Sequence, residues 1–137
     1  MKIVIMGCGR AGAQIASIMD AAKHKVTVID INTTSFARLP PTYKGESLFG
    51  DGTDEGVLRR AGIEKADAFV AVTEGDNRNI MAGQIAKYVY HVPRVICRVY
   101  DPMRKDVYEA LGLEAISPTT VFADLIASKL EMVVKEP

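Results

Sequence analysis

Residues 1–30 read MKIVIMGCGRAGAQIASIMDAAKHKVTVID, and this stretch determines the fold class. The apolar run Lys2–Met6 and the run at residues 26–30 are each typical of a buried strand, and the second run ends in an acid. Between them lie a glycine-rich segment, GCGRAG, and a run of small and apolar residues at helical spacing. The stretch therefore predicts a strand, a tight turn, a helix and a second strand, which is the first unit of a parallel α/β sheet.

The glycines in the turn have the spacing of a phosphate-binding loop. Gly7 occupies the position that permits a tight turn, Gly9 the position where backbone N–H groups approach a pyrophosphate, and Gly12 the position where the helix lies close to the strand. The helix N-terminus adds N–H donors and a partial positive charge. A purely structural glycine-rich turn is the alternative interpretation, because such turns are common.

Asp30 supports the nucleotide interpretation. It follows the glycines at close to the ~20 residues expected for a carboxylate that accepts hydrogen bonds from the ribose of adenosine. Its negative charge opposes a 2′-phosphate, so we expect NAD(H), ATP, ADP or AMP to bind and NADP(H) to bind much more weakly. The motif does not rank NAD(H) against ATP, because both carry the adenosine and phosphates that it contacts.

The composition is that of one globular domain. The chain has 137 residues, and its 17 basic residues balance 17 acidic ones, so nothing indicates binding to nucleic acid or to an anionic membrane. The longest wholly apolar run covers residues 68–72, far short of a membrane span, and no signal peptide precedes the first strand. We expect a cytoplasmic protein without direct membrane insertion. Cys8 and Cys97 have no spacing typical of a disulfide or a metal site.

The rest of the chain continues to alternate strands and helices. Further strands are predicted at residues 46–50, 66–73, 93–99 and 114–117, and a last helix at residues 119–135. Six such strands predict a Rossmann-type doubly wound parallel six-stranded α/β sheet, in the order 3-2-1-4-5-6 and with helices on both faces. Ligands bind beyond the carboxyl ends of the strands in such sheets, so the loops GCGRAG, VIDIN, GDGTD and TEGDN are expected to form one site.

Three positions have simpler structural alternatives. Asn32 follows Asp30 by two residues, where it can cap a short helix or contact a ribose. The segment GDGTD at residues 50–54 is on its own most simply a turn with a helix cap, but its place at the same sheet edge favours packing on adenine. Met81 is assigned to the core.

The ordered motifs GCGRAG, VIDIN, GDGTD, AVTEGDNRN and CRVYDP resemble those of the RCK domain, also called KTN or TrkA-N, over nearly the whole chain. Domains of this family regulate potassium channels and Trk/Ktr potassium transporters from the cytoplasm. The resemblance implies a Rossmann fold that binds NAD(H) or adenine nucleotides, and assembly into a homodimer or larger ring beneath a membrane-embedded potassium transporter or channel subunit. It implies a gating subunit and not an enzyme.

The resemblance also assigns residues to the site. It implies that Arg10 reaches a phosphate, with a solvated arginine on the first helical turn as the alternative, and that Arg98 faces the phosphate edge. The full set of expected cofactor-binding residues is Gly7, Cys8, Gly9, Arg10, Ala11, Gly12, Asp30, Ile31, Asn32, Asp51, Gly52, Thr53, Thr73 and Arg98.

Two features depart from the family pattern. Thr119 stands where members that hold a divalent cation often have a carboxylate, so no metal site is expected. Many full-length members carry a second lobe after the last helix, so this chain is either a one-lobe variant, working beside a second RCK-type subunit, or a truncation. We divide the chain into a nucleotide-binding domain, residues 1–118, and a crossover and assembly helix, residues 119–137.

The last helix is more apolar than one sheet face requires. Its apolar residues wrap beyond a stripe of about 100°, and they are Val121, Phe122, Leu125, Ile126, Leu130, Met132, Val133 and Val134. One side is expected to cover the chain's own sheet and the remainder to meet another subunit, with fraying of the last residues as the alternative. We expect at least a homodimer, with Phe122 and Leu125 near the contact.

An enzyme is the competing interpretation, as the cofactor-binding domain of an NAD-dependent oxidoreductase. Hydride transfer requires a substrate pocket and usually an acid or base near the nicotinamide. His24 and His91 precede the second and fifth strands, at the sheet edge opposite the expected site, so the enzyme interpretation is less favoured. A nucleotide-dependent scaffold without a role in potassium transport has the same site and differs only in its partner.

Overall fold

The computed structural model describes residues 1–135, and the side chains as far as Met132. Its strands are β1 (Lys2–Met6), β2 (Lys25–Asp30), β3 (Glu46–Phe49), β4 (Ala68–Ala71), β5 (Arg94–Arg98) and β6 (Glu114–Ile116). Its α-helices are α1 (Arg10–Ala21), α2 (Glu55–Arg60), α3 (Asp76–Gln84), α4 (Lys105–Ala110) and α5 (Pro118–Lys135). A π-helical segment, Ile85–Val89, continues α3, and 3-10 turns occupy Thr33–Arg38, Ile63–Lys65 and Pro102–Arg104.

All six strands pair in parallel in the order β3-β2-β1-β4-β5-β6, which confirms the predicted Rossmann-type sheet. β1 lies at the centre, where Ile5 pairs with Val28 of β2 and Val70 of β4. The strand order reverses between β1 and β4, and a crevice opens there at the carboxyl ends of the strands. β4 ends two residues before the predicted Thr73, because the chain turns there into the loop that borders this crevice.

The two faces of the sheet pack against different helices. On one face, Val4, Phe69 and Cys97 lie in a core cluster that includes residues of α2, α3 and α4. On the other face, Ile5 and Val28 lie in a smaller cluster with residues of α1. Burying one large apolar side chain contributes about 1.5–3 kcal/mol, so these two clusters hold the helices on the sheet.

Helix α3 packs closely on the sheet through small residues. Asn79, Ala82 and Gly83 are its buried residues, and a side chain on Gly83 would crowd the sulfur of Cys97. Met81 lies on the other side of the helix and is 53% exposed, so its assignment to the core is wrong. Its helical position points it away from the sheet, which the small residues already fill.

Within the described residues, one face of β5 and β6 is left partly exposed. Side chains alternate along a strand, so Arg94, Ile96, Glu114 and Ile116 lie on the side away from the cluster that contains Val95, Cys97 and Ala115. Arg94 and Glu114 form an exposed ion pair at 2.9 Å, and Ile116 is 45% exposed. We call Arg94, Ile96, Glu114 and Ile116 the open face.

No described side chain of α5 is buried against the rest of the chain. Every described side chain from Pro118 to Met132 is exposed, with Phe122 at 67% and Leu130 at 60%. The expectation that one side of this helix covers its own sheet is therefore wrong. A single residue, Ser117, separates β6 from α5, which leaves too little chain for the helix to turn back over the sheet.

Some of the residues expected in this helix fall outside the description. The side chains of Val133 and Val134 lie outside the described residues, as do Glu136 and Pro137 altogether. Within the described part of the chain, none of the helices has the length and apolar character needed to cross a membrane.

Candidate functional site

A cavity of about 830 Å³ lies at the carboxyl ends of β1, β2, β4 and β5. Ten of the fourteen expected site residues line it: Gly7, Gly9, Arg10, Ala11, Asp30, Ile31, Asn32, Gly52, Thr73 and Arg98. Its volume falls in the range of about 300–1,000 Å³ that is usual for small-molecule and cofactor sites. The four loops expected at this edge therefore do border one cavity.

The glycine-rich loop joins β1 to α1 along the wall of this cavity. Gly7 has φ +112°, a left-handed conformation that favours glycine, and its N–H donates to the carbonyl oxygen of Ile29 at 2.8 Å. A Cβ on Gly12 would overlap the carbonyl oxygen of Gly7, whereas a Cβ on Gly9 would meet nothing within 4 Å. The loop is therefore tight on the side of the sheet and open on the side of the cavity.

The N-terminus of α1 faces the same cavity. Gly9 is the residue that precedes the helix, and no side chain caps the first turn. The first N–H groups of a helix have no partner within the helix and carry partial positive charge. With the Arg10 side chain exposed beside them, these donors suit an anionic group such as a phosphate.

Asp30 ends β2 and ties two loops together. Its Oδ2 accepts a hydrogen bond from the backbone N–H of Cys8 at 2.8 Å, and its Oδ1 accepts one from the N–H of Asn32 at 2.7 Å. Each carboxylate oxygen has a second lone pair, so the group still accepts bonds from a ligand in the cavity. The arrangement can hold the two hydroxyls of a ribose at a fixed distance from the glycine-rich loop.

Cys8 and Gly12 lie behind the cavity wall and do not line it. Cys8 is fully buried, and its thiol donates to the carbonyl oxygen of Ser35 at 3.5 Å. Burial and then the neighbouring charge of Asp30 raise the pKa of this thiol, which keeps it protonated at neutral pH. Cys8 therefore acts as a small packed residue in the loop.

The GDGTD loop borders the cavity through its glycines, Gly50 and Gly52, and not through the side chains of Asp51 and Thr53. Gly52 is buried against Met6, where a Cβ would overlap the methionine side chain. The Asp51 carboxylate accepts hydrogen bonds from the Thr53 N–H at 2.9 Å and from the Thr53 hydroxyl at 2.7 Å. Asp51 and Thr53 do not line the cavity, so the two side chains stabilise the loop that brings Gly52 to it.

Arg78 of α3 adds an ion pair to this loop. Its guanidinium lies 3.0 Å from the Asp51 carboxylate, and both side chains are partly exposed. The bonds from Thr53 and, to a smaller extent, the charge of Arg78 lower the pKa of the Asp51 carboxyl. Asp51 is therefore ionised at neutral pH and links the GDGTD loop to α3.

Asn32 both caps a helix and borders the cavity. Its side chain accepts a hydrogen bond from the Thr34 N–H at 3.1 Å, at the start of the 3-10 turn Thr33–Arg38. The helix-cap prediction is confirmed, with a 3-10 turn in place of an α-helix. Asn32 also lines the cavity, so the two interpretations of this residue are compatible.

The far side of the cavity, beyond the glycine-rich loop, is built by β4 and β5. The Arg98 guanidinium donates to the carbonyl oxygen of Thr73 at 2.9 Å and lies 4.6 Å from the centre of the Tyr100 ring. The fully buried Asn79 bonds to the backbone of both Thr73 and Arg98. We call Thr73, Arg98 and Tyr100 the distal half of the cavity.

Several lining residues were not among those expected: Ser35, Arg38, Glu74, Gly75, Arg78 and Tyr100. Arg78 and Tyr100 belong to the motifs AVTEGDNRN and CRVYDP, so the motifs contained a signal for them. Arg38 ends the turn after β2 and brings a positive charge to the side of the cavity that holds Asp30. An arginine in this region is the residue type that accommodates a 2′-phosphate, so it opposes the discrimination expected of Asp30.

Both histidines lie away from the cavity, as expected. His24 precedes β2 and lies 2.9 Å from the terminal amino group of Met1, and His91 precedes β5. Among the described residues, no group of three or more His, Cys, Asp and Glu side chains is placed to hold a metal ion. The described lining of the cavity thus has groups that can bind phosphate and ribose, and it includes neither histidine.

Comparison with known proteins gives three kinds of match. The family model described as the TrkA-N domain matches residues 3–118. The Trk system potassium uptake protein TrkA of Streptomyces coelicolor is 44% identical over 130 residues, which cover 95% of this chain and 58% of that protein. The TrkA homolog of Pyrococcus abyssi is 37% identical over 109 residues, which cover 80% of this chain and 48% of that protein. The chain thus spans about half the length of these relatives.

Solved structures agree on the fold. The GsuK channel bound to NAD is 26% identical, with a TM-score of 0.80 over 95% of this chain and 23% of that one. GsuK bound to ADP has a TM-score of 0.79 over 96% of this chain and 34% of that one. The TrkA-N domain of the Escherichia coli inner membrane protein ybaL is 15% identical, with a TM-score of 0.84 over 94% of this chain and 96% of that one.

Proposed function

Because the chain belongs to the TrkA-N domain family, we propose that it is a cytoplasmic regulatory domain of a potassium uptake system or channel. In this proposal NAD(H) or an adenine nucleotide (ATP, ADP or AMP) binds in the cavity and controls transport by a membrane-embedded potassium transporter or channel subunit. One observation carries the proposal: the open N-terminus of α1 and the Asp30 carboxylate border the same cavity. A relative named as a potassium uptake protein and a channel solved with NAD and with ADP support it.

The geometry suggests how a nucleotide lies in the cavity. Its first phosphate meets the N-terminus of α1 in the glycine-rich loop, the next phosphates meet Arg10, and its ribose meets Asp30 beyond β2. Adenine then lies on the β2 side, near Ile31 and Gly52. Whatever follows the phosphates, a nicotinamide ribose or a further phosphate, extends over β4 and β5 into the distal half.

We propose that the chain works as a homodimer or a larger ring. The apolar side chains of α5 from Val121 to Met132 are exposed in one chain, and so is part of the open face on β5 and β6. Together they suit a reciprocal contact in which α5 crosses to a second copy and covers apolar surface there. In this division residues 1–118 bind nucleotide, and the helix within residues 119–137 assembles subunits, with itself or with a second RCK-type subunit.

The main alternative is a cofactor-binding domain of an NAD-dependent oxidoreductase. A general acid or base must lie within hydrogen-bond reach of the reacting group, or reach it through one water. The residues in the distal half are Thr73, Arg98 and Tyr100, and the guanidinium of Arg98 already donates to Thr73 and stacks on Tyr100. Glu74 also lines the cavity, so the preference for a regulatory role rests on the match to the TrkA-N family and to potassium uptake proteins.

Isothermal titration calorimetry with NADH, ATP, ADP, AMP and NADPH tests the proposal. We expect at least one of the first four to bind, and NADPH to bind much more weakly because the Asp30 carboxylate opposes its 2′-phosphate. NADPH binding that equals or exceeds NADH binding would show that Arg38 outweighs Asp30 and would overturn the ligand assignment. Absence of binding for all five would overturn the proposed function, and steady NADH oxidation at 340 nm with carbonyl substrates would favour the enzyme.

A further inference from the structure

Asn79 lies directly beneath the distal half of the cavity. Among the described residues, it is the one fully buried polar side chain at this place. It lies on the first turns of α3 with no exposed surface. A buried amide without partners is unfavourable by about 1–3 kcal/mol, so its hydrogen bonds define what the residue does. None of its side-chain bonds goes to its own helix; they reach Thr73 after β4 and Arg98 of β5.

The side-chain amide of Asn79 forms hydrogen bonds with the backbone N–H, the hydroxyl and the carbonyl oxygen of Thr73. Its Oδ1 accepts hydrogen bonds from the Thr73 N–H at 3.0 Å and the Thr73 hydroxyl at 2.6 Å, and its Nδ2 donates to the Thr73 carbonyl oxygen at 3.0 Å. Three bonds to one residue fix both the backbone and the rotamer of Thr73. Because Thr73 lines the cavity opposite the glycine-rich loop, Asn79 sets the position of that wall.

The same amide reaches β5. Its Nδ2 also donates to the carbonyl oxygen of Arg98 at 3.1 Å, while the Arg98 guanidinium returns across the gap to the carbonyl oxygen of Thr73 at 2.9 Å. Asn79, Thr73 and Arg98 therefore form a closed ring of hydrogen bonds between the ends of β4 and β5. Asn79 therefore determines the positions of the two cavity residues in this ring, Thr73 and Arg98.

In this position, Arg98 leaves one of its own hydrogen-bond donors without a partner. Its Nε is buried and is the only buried side-chain N or O atom in the described part of the chain without a hydrogen-bond partner. An unsatisfied buried donor in a native structure calls for an explanation. The remaining contacts, to Thr73 and to the Tyr100 ring, keep the guanidinium at the cavity wall where a ligand can meet it.

Resting on the proposed function, we infer that Asn79 is a positioning residue that sets nucleotide specificity by fixing the distal half of the cavity. Ligands that extend past the first phosphate, such as NADH and ATP, use this half, and AMP stops short of it. Asn79 therefore contributes to the affinity for long ligands and leaves the affinity for AMP nearly unchanged. A residue that only stabilises the fold would affect the three ligands alike.

Calorimetric titration of Asn79→Asp with AMP, ATP and NADH tests this inference. The substituted carboxylate keeps both acceptor bonds to Thr73 but places an oxygen against the carbonyl oxygens of Thr73 and Arg98. We expect NADH and ATP to bind about tenfold more weakly, the equivalent of one or two lost hydrogen bonds, and AMP to stay within about twofold of the wild type. Asn77→Asp is the matched control, because Asn77 is exposed on the same helix and, among the described residues, its side chain bonds to Arg104 alone.

A second variant guards against a failure to fold. Asn79→Ser adds no buried charge, removes the links to both carbonyl oxygens and is expected to give the same split between AMP and the longer ligands. Equal weakening of all three ligands, including complete loss in both variants, would assign Asn79 a structural role and overturn the inference. Unchanged affinities for all three would overturn it as well. Failure of the wild type to bind any of the three would instead overturn the proposed function itself.

Discussion

Helices α1 and α5 differ in how their residues are buried, although each follows a strand of the same sheet. α1 has few large apolar residues, yet Gly12, Ala13 and Ala16 are buried because small side chains let it lie close to β1. α5 carries six large apolar side chains between Val121 and Met132, and all of them are exposed. Close fit thus holds α1 on its own sheet, whereas α5 leaves its apolar surface exposed, the surface that we propose a second subunit covers.

The cavity lies between α1 and the strand pair β5–β6, which leads to α5. α1 begins at the cavity, and Arg98 on the far side of the cavity pairs with Ile116 of β6. The Val99 N–H donates to the carbonyl oxygen of Ile116 at 3.0 Å, and α5 begins two residues after Ile116. A ligand that moves Arg98 therefore acts next to the start of α5, the helix that we propose assembles subunits.

The largest effect is expected at the close fit of α1. In Gly12→Ala, the new Cβ overlaps the Gly7 carbonyl oxygen, so the helix must move away from β1 and the phosphate-binding loop must change shape. We expect nucleotide binding to be lost and the free energy of unfolding to fall by about 1–3 kcal/mol, the usual range for overpacking. Urea unfolding and calorimetry measure the two effects.

Gly9→Ala is the matched control for Gly12→Ala. It adds the same methyl group three residues earlier in open space and should leave the free energy of unfolding within about 0.5 kcal/mol. An unchanged unfolding midpoint in Gly12→Ala would show that the close approach of α1 to the loop is not what stabilises this unit.

The next effect is expected on assembly through α5. Phe122 is 67% exposed in a single chain, so Phe122→Asp should leave the unfolding of the monomer unchanged while it removes apolar area from the contact. We expect a homodimer at micromolar concentration for the wild type and about 10- to 100-fold weaker association for the variant, from a loss of about 1.5–3 kcal/mol. Sedimentation velocity over a concentration series gives both constants.

Thr120→Asp provides the control for charge on α5. Thr120 lies on the polar side of the helix with Asp124 and Glu131, so the same added charge should leave the association constant nearly unchanged. Equal weakening by both variants would indicate general repulsion between chains in place of a contact through Phe122.

A third, smaller effect is expected at Asp30, which joins the α1 loop to the ribose position. Asp30→Ala removes two acceptors for ribose hydroxyls as well as the bonds to the Cys8 and Asn32 N–H groups. We expect the favoured nucleotide to bind more weakly by about 1–3 kcal/mol, the range for hydrogen bonds to a charged group. Calorimetry checks this, and an unchanged affinity would remove Asp30 from the site.

The smallest effect is expected at Arg10, on the first turn of α1. If its guanidinium binds a distal phosphate, Arg10→Ala should weaken ATP by a few-fold more than AMP, because a charge-assisted bond is lost with ATP alone. Arg60→Ala on the exposed end of α2 serves as the control for loss of one positive charge. Identical losses for ATP and AMP would place the effect on the fold or on the adenosine half.

Local chemistry explains why the first unit of the fold could be predicted from the sequence. The positions of Gly7, Gly12 and Asp30 are set by contacts between neighbouring elements, so spacing along the chain carries the information. The strand order follows from alternation of strands and helices, since parallel neighbours require crossover connections. The exposure of α5 could not be predicted this way, because hydrophobic periodicity does not tell which chain covers a helix.

The residues of the site likewise divide into those that motif spacing predicts and those that only the folded chain brings together. Residues that act through backbone geometry, such as Gly7 and Gly52, follow from motif spacing. Asp51 and Asn79 each bond a residue nearby in sequence, but each also contacts a distant one, Arg78 and Arg98 respectively, and only the folded chain brings these residues together. Met81 illustrates the limit of periodicity, since small residues of α3 already fill the space above β4 and β5.

We propose that nucleotide in the cavity acts on α5, and hydrogen–deuterium exchange of the assembled protein tests this proposal most directly. With saturating NADH or ATP, we expect slower exchange in the glycine-rich loop and changed exchange in β6 and α5, residues 114–135. In Phe122→Asp the change in the loop should remain and the change in α5 should disappear. Slower exchange in the loop with no change in residues 114–135, for either nucleotide, would contradict nucleotide control through this helix.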